Sequence, residues 1–156
     1  MKIELELQGV TGGLDPDIAT IALRDAIPTI VDLALTEARK NLSAYSKTGK
    51  TLAKLTSRLS LGGDNPEGEV LVAGKRSFIA RLLETGTRPH PIQARRAPLL
   101  HFRTSGRWVT ALMVQHPGFA GRHWLERAAA TITPEAEQEV ADAVERAANQ
   151  QLARQS

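Results

Sequence analysis

Two long segments with the apolar spacing of amphipathic helices flank a middle third that is broken by glycine and proline clusters. The first segment follows Asp15 and Pro16, residue types that are preferred at a helix N-cap and at the first helical position. Because Pro28 lacks a backbone donor, we expect a kink or a break near Ala26 and Ile27. The apolar residues that predict this long N-terminal helix are Ile18, Ile21, Ala22, Ile30, Ala34, Ala38 and Leu42.

A second helical region is predicted toward the C-terminus. Trp124 starts a helical pattern that we expect to end at Thr133 and Pro134, because proline disfavours the continuation of a helix. A last amphipathic helix is then predicted from Pro134 to Leu152, with Thr133 as its N-cap. Glu135 would lie in its first turn, where a negative charge interacts favourably with the helix dipole.

Between the helices, and in the first residues of the chain, apolar and polar residues alternate as they do in half-buried strands. Residues 3–8 show this alternation. The turn cluster GGDNPEG at residues 62–68 predicts a hairpin over residues 56–73. Two more strands are predicted at residues 99–103 and 108–114.

These elements predict an α+β fold. It would consist of a mostly antiparallel sheet of about five strands packed against the long N-terminal helix, with short helices and a C-terminal helix. One of the short helices is expected to end at Glu84. Residues 85–91 contain two prolines and a glycine, and we expect them to form an irregular exposed loop. The length of 156 residues is usual for one domain. We assign residues 1–131 to that domain and residues 132–156 to an acidic C-terminal helix that belongs to it or extends from it.

The composition excludes several classes of protein. The chain has no cysteine, so disulfide frameworks and thiolate zinc sites are ruled out, and assembly in a reducing cytoplasm is expected. The first six residues alternate acidic and apolar side chains, which is not the pattern of a signal peptide. No apolar run approaches the ~18 residues of a membrane span, and we expect no contact with a membrane.

Charge is distributed unevenly, although the net charge is only +3. From residue 132 onward the sequence contains five acidic residues and two basic ones, Arg146 and Arg154. In the middle of the chain, Glu84 is the one acid among eight basic residues: Lys75, Arg76, Arg81, Arg88, Arg95, Arg96, Arg103 and Arg107. This asymmetry predicts a binding partner.

Catalytic motifs are not convincing. Residues 44–51 (AYSKTGKT) match a relaxed phosphate-loop pattern, but a helix is expected before them where such a loop needs a buried strand, so a nucleotide hydrolase built on Lys50 is a weak hypothesis. The four histidines lack the spacing of a zinc hydrolase, and no acid is expected beside them to complete a site. We therefore predict that the protein is not an enzyme and holds no metal or cofactor.

The basic segment 75–107 could bind nucleic acid, since Phe102 and Trp108 could stack on bases while the arginines neutralise phosphates. We favour the interpretation that both aromatic residues belong to the core of a hairpin and that the arginines form its solvated face. For the charges, a protein partner and DNA remain open alternatives.

Three segments together resemble one known family. Residues 78–90 (FIARLLETGTRPH) resemble its aromatic-Ala-x-x-apolar-Glu-x-Gly-Thr-x-x-His segment, and residues 99–109 resemble the hairpin that follows it. Residues 114–128 resemble its Val-x-His-Pro-Gly segment and the helix after it, except that His123 and Trp124 stand where Pro-Phe is more usual. In order and spacing, the chain is similar to the neck and tail-completion family of lambdoid-type siphophages, which is related to the minor tail protein called Z.

The resemblance implies a ring-forming structural subunit of a tailed bacteriophage. Such a subunit would assemble in the host cytoplasm, reside in the neck or tail of the virion, and contact a connector protein on the head side and a tail terminator or tail tube protein on the other. Non-specific contact with packaged DNA is also expected. A small DNA-binding protein is the alternative.

We expect the residues at subunit interfaces, or in the loops that shape them, to come from both charged regions. The basic middle and the acidic C-terminal helix would supply complementary faces. The candidates are Glu84, Gly86, Thr87, Arg88, His90, Arg95, Arg96, His116, Gly118, Glu135, Glu139 and Asp142.

Overall fold

The computed structural model describes residues 15–63, 65–95 and 97–155, and its longest elements are two helices. Helix α1 comprises Pro16–Ser43 and begins as predicted, since the Asp15 side chain accepts a hydrogen bond from the N–H of Asp17. The C-terminal helix, α3, comprises Trp124–Gln155. The strand predicted at residues 3–8 lies outside the described residues.

Helices α1 and α3 pack antiparallel and form most of the core. At one end, Asn41 Nδ2 donates to the carbonyl oxygen of Trp124 (3.1 Å), and at the other Arg146 binds the carboxylate of Asp25 (2.7 Å). The buried residues recur at helical spacing and are mostly small, which lets the helices approach closely. They are Ala22, Ala26, Ile30, Val31, Ala34, Ala38 and Leu42 in α1, and Trp124, Leu125, Ala128, Ile132, Ala136, Val140, Ala143 and Ala147 in α3.

Both prolines lie inside continuous helices. The prediction that a helix ends at Thr133 and Pro134 is wrong. Helix α1 runs past Ala26 through Pro28, so of the predicted kink or break near Ala26 and Ile27 the break does not occur. Burial of apolar residues on both sides of each proline offsets the lost hydrogen bond, because tertiary packing supplies most helix stability in proteins.

Thr133 therefore caps no helix. Its hydroxyl donates to the Ala129 carbonyl oxygen within the same helix (2.9 Å). Glu135 lies in the middle of α3 rather than in a first turn, so the predicted interaction of its charge with a helix N-terminus does not occur.

A hairpin packs against α1, as predicted for residues 56–73. Strand β1 (Leu55–Ser60) pairs antiparallel with β2 (Glu67–Val72), and a short 3₁₀ turn at Leu52–Lys54 precedes it. Leu55, Val70 and Val72 bury their side chains in the core. Helix α2 (Arg76–Thr85) follows and contacts β2 and the start of α3.

The described residues between Gly86 and Ala120 form a two-stranded antiparallel ribbon, which we call the ribbon. Its pairs are β3 (Gly86–Thr87) with β8 (Phe119–Ala120), β4 (His90–Gln93) with β7 (Met113–His116), and β5 (Leu100–Thr104) with β6 (Arg107–Ala111). The first two pairs share one register. The third is shifted relative to them, because seven positions separate Gln93 from Leu100 on one strand and two separate Ala111 from Met113 on the other. Ser105 and Gly106 close the tip with positive φ at both positions, the geometry of a type I′ turn.

The α+β class, the antiparallel strands and the long N-terminal helix are confirmed. The strands are distributed over four two-stranded ladders. Leu112 interrupts the strand predicted at residues 108–114, and part of the loop predicted at residues 85–91 is strand instead. Within the described residues, no helix combines the length and apolar character needed to cross a membrane.

Candidate interaction surface

The base of the ribbon is fixed by Glu84, a buried carboxylate in the last turn of α2. Its Oε2 accepts a hydrogen bond from the N–H of Leu125 (2.9 Å) and its Oε1 one from the N–H of Glu126 (3.0 Å). The first N–H groups of a helix have no partner within it, and negative charge is favourable at this end. Glu84 therefore caps α3 and ties it to α2.

Residues 84–87 and 116–121 meet at this base, backbone against backbone. Gly86 has φ +76° and ψ −171°, a conformation that is essentially restricted to glycine. A Cβ at Gly86 would collide with the carbonyl oxygen of Phe119, and one at Gly118 (φ +77°) with the carbonyl oxygen of Thr87. These glycines therefore allow the close approach of residues 84–87 to residues 116–121.

Thr87 lies in this contact. Among the described residues, its hydroxyl oxygen is the buried side-chain polar atom that has no hydrogen-bond partner. The role of Thr87 at the base is consequently carried by its backbone and its packing rather than by its hydroxyl.

Three of the histidines lie in strands of the ribbon. His90 and His116 face each other across the ladder and stack with their ring centroids 5.0 Å apart. The His90 Nδ1 donates to the Arg88 carbonyl oxygen (2.8 Å), while His116 Nδ1 accepts from the N–H of Gly118 (2.9 Å). His90 and His116 thus brace the ribbon near its base.

The fourth histidine, His123, lies beside two acids, so the expectation that no acid accompanies the histidines is wrong here. Ligand atoms of Glu84, His123 and Glu126 lie within 4.8 Å of one another and could in principle hold a metal ion. However, both oxygens of Glu84 accept backbone hydrogen bonds, and His123 Nδ1 lies 2.7 Å from Oε2 of Glu126. The polar atoms of this cluster are thus engaged in helix capping by Glu84 and in the contact between His123 and Glu126.

The ribbon exposes apolar side chains. Trp108 is 66% exposed, so the prediction that it belongs to a core is wrong, whereas Phe102 is half-buried. Further exposed side chains are Ile92, Leu99, Leu112, Met113 and Phe119. A groove of about 310 Å³ lies along the ribbon, lined by Ile92, Leu100, His101, Phe102, Val114 and His116. Among the described residues, none from the ribbon belongs to the core of the helices and the first hairpin.

The ribbon is also uniformly basic. From residue 86 to residue 120 the sequence contains five arginines and neither aspartate nor glutamate. Arg88, Arg95, Arg103 and Arg107 are exposed, and Arg96 lies outside the described residues. Lys75, Arg76 and Arg81 belong to α2 and the residue before it. The predicted basic block thus has two parts, and the ribbon carries the larger one.

The three acids predicted to form one interface face have different environments. Glu139 accepts a hydrogen bond from Arg146 (2.9 Å), which also donates to Asp25. These two hydrogen bonds, first the one to Asp25 and then the one to Glu139, raise the pKa of Arg146. Asp142 accepts a hydrogen bond from Gln138 (2.7 Å). Glu135 is exposed and lines a groove between α1 and α3.

The phosphate-loop match, residues 44–51, connects α1 to the first hairpin, and Thr51 at its end is buried. A helix precedes it, as expected, and Lys50 is exposed. The segment lacks the strand-to-helix geometry that would direct backbone N–H groups at a phosphate.

Searches of protein-family models, of curated proteins and of solved structures find no match to this chain.

Sequence reasoning missed the cap that Glu84 provides and the role of Trp124. Trp124 is buried, and its Nε1 donates to the Ala80 carbonyl oxygen (3.1 Å), which adds a second link between α2 and α3. No local pattern indicates either contact, because the partners are more than 40 residues apart in the sequence.

Proposed function

We propose that this protein is a structural subunit of a tailed bacteriophage, which forms a ring in the neck or tail-completion layer between head and tail. The observation that carries the proposal is the ribbon, which exposes apolar side chains and arginines. Two-stranded sheets are marginally stable in water on their own. A neighbouring protein that covers the apolar residues would stabilise the ribbon, and exposed apolar patches commonly mark such contacts.

The resemblance to the phage family adds a second line of support. Two of the three segments that carry it, residues 78–90 and 114–128, come together at the base of the ribbon through residues 84–87 and 116–121. Residues that are separated in the sequence thus serve one structural purpose, the anchoring of an extension to a helical core. In the proposed ring, a connector protein would bind one face and a tail terminator or tail tube protein the other. The proposed role requires neither catalysis nor a cofactor.

A small DNA-binding protein is the second candidate. It is favoured by the absence of acids from the ribbon and by Trp108, whose exposed ring stacks on His101 and could stack on a base. Binding through phosphates would weaken steeply as salt is raised. The exposed aliphatic residues Ile92, Leu99 and Leu112 favour a protein partner instead, because they offer nothing to a phosphate backbone.

Negative-stain electron microscopy and light scattering of the purified full chain over a wide concentration range test the proposal. We expect rings without added DNA, and fewer rings from Leu112→Ser, which removes a side chain that is 74% exposed. Leu59→Ser is the matched control, since Leu59 is an exposed leucine outside the ribbon. A chain that stays monomeric and binds duplex DNA with a steep salt dependence would show that the second candidate is correct.

A further inference from the structure

A groove between α1 and α3 is acidic and lies outside the ribbon. It has a volume of about 350 Å³ and is lined by Thr29, Asp32, Leu33, Thr36, Glu37, Thr131, Ile132 and Glu135. Three of these residues carry carboxylates and none is basic. Glu37 is bound by Lys40 (3.1 Å) from the adjacent turn, whereas Asp32 and Glu135 are exposed. The groove thus combines negative charge with one half-buried apolar side chain, Leu33, because Ile132 beneath it is buried in the core.

The tip of the ribbon has the opposite character. Arg103 and Arg107 flank the turn, and Trp108 pairs with Arg103 across the ladder. The Trp108 ring lies parallel to that of His101, with centroids 4.7 Å apart and an interplanar angle of 5°, so it is held in place although it is exposed. Tryptophan and arginine are the residue types that most often dominate the binding energy of an interface.

We propose that the tip of the ribbon, residues 103–108, docks into the α1–α3 groove of a second copy of this chain. Arg103 and Arg107 bind Asp32 and Glu135 of that copy, and Trp108 covers the half-buried Leu33. The inference rests on the proposed ring and names the contact that builds it.

Charge complementarity selects a second copy as the occupant. The tip is an arginine and tryptophan surface without acids, and the groove on the same chain is an acidic surface without basic residues in its lining. Two different complementary patches on one chain make a head-to-tail contact, which closes into a ring when the rotation between subunits allows it. The contact also revises the face predicted from sequence, since Glu139 and Asp142 already bind Arg146 and Gln138.

Disulfide trapping tests the position of the contact, and the absence of cysteine from the chain removes any background. Ser105→Cys places a thiol at the tip, and Thr36→Cys places one at the groove. We expect a covalent dimer when the two variants are mixed and oxidised, but not from either variant alone. Ser43→Cys, at the exposed end of α1, replaces Thr36→Cys in the control mixture and should give no dimer.

Charge reversal tests the energetics. Glu135→Arg should weaken association about tenfold, because like charges would then face each other across the contact. Arg107→Glu should do the same, and mixing the two variants should restore association between unlike copies. Glu145→Arg, on an exposed position of α3 outside the groove lining, is the matched control and should assemble normally. Association of the unmodified chain should weaken as salt is raised.

The outcomes separate this docking from the ring itself. Rings of the unmodified chain together with no dimer above the Ser43→Cys control would overturn the docking and leave the ring intact. Loss of DNA binding without loss of assembly in Arg107→Glu would also overturn it, in favour of a nucleic-acid contact. Failure of the unmodified chain to assemble at any concentration would refute the ring and the docking together.

Discussion

The carboxylate of Glu84 accepts a 2.9 Å hydrogen bond from the backbone N–H of Leu125, although 41 positions separate the two residues. The second oxygen of Glu84 accepts from the next N–H of the same helix, that of Glu126. One side chain of α2 thus satisfies two donors at the start of α3. Because the ribbon runs between these two helices, its base is held from both sides.

Replacement of Glu84 by alanine should therefore lower the free energy of unfolding by about 1–3 kcal/mol, the range for buried donors that lose their partner. Denaturant titration followed by circular dichroism measures the change. Glu126→Ala is the control. Its carboxylate is exposed near the same helix end, so the substitution should change the free energy of unfolding by less than about 0.5 kcal/mol. Equal effects of the two substitutions would contradict the capping role.

Gly86→Val should impair folding and, with it, ring formation. The new side chain would have to adopt a backbone conformation that costs about 1–3 kcal/mol, and its Cβ would also collide with the Phe119 carbonyl oxygen. Thermal denaturation and the yield of rings report the effect. Gly62→Val is the matched control, because a Cβ at Gly62 meets open space. A normally assembling Gly86→Val protein would show that the base of the ribbon tolerates separation of its strands.

Thr87→Val should leave the stability unchanged or raise it by about 1 kcal/mol, since valine keeps the shape of threonine and removes a buried hydroxyl that has no partner in the described structure. Serine at the same position keeps the hydroxyl and loses the methyl group, so Thr87→Ser should destabilise. A reversed order of the two variants in denaturant titration would mean that the hydroxyl is hydrogen-bonded.

Pro134→Ala should stabilise the protein by up to about 3 kcal/mol, because the proline lies inside α3 and alanine restores a backbone donor. The melting temperature should rise accordingly. Pro66→Ala, in the turn of the first hairpin, serves as the comparison and should bring no such gain. An unchanged melting temperature for Pro134→Ala would imply that the helix already accommodates the proline without cost.

Lys50→Ala should leave ring formation unaffected, because Lys50 is an exposed residue of a loop that follows a helix. Magnesium and nucleoside triphosphates should not raise the melting temperature of the unmodified chain, whereas a specific ligand would do so by mass action. Lys47→Ala controls for the loss of one positive charge from the same loop. Nucleotide-dependent stabilisation that only Lys50→Ala abolishes would revive the nucleotide hypothesis.

Local patterns in the sequence predicted the elements whose causes are local. Asp15 and Pro16 marked the start of α1, and the turn cluster at residues 62–68 marked the first hairpin. Pro134 led to a wrong helix end, because the tendency of proline to end a helix is outweighed by the burial of apolar residues on either side of it. That burial depends on packing against α1, which the local sequence does not show. The alternation around Trp108 showed which residues share a face of a strand, but a face is buried only when another layer covers it.

The interaction surface was harder to predict for the same reason. The arginines and the lack of acids were visible in the sequence, whereas the groove that contains Asp32 and Glu135 depends on two helices from distant parts of the chain. The cap provided by Glu84 likewise requires the return of the chain to the base of the ribbon. The sequence showed where the basic residues lie, but it did not show which acidic surface the fold assembles.

The pairing of α1 with α3 also constrains when the chain can fold. During synthesis, α1 leaves the ribosome long before its partner, since 83 positions separate Asn41 from the Trp124 that it contacts. Its apolar stripe stays uncovered until α3 has been translated, and contacts of such sequence separation form slowly. The core cannot be completed before α3 has been made, so the face of α1 that packs on α3 is open to aggregation until then.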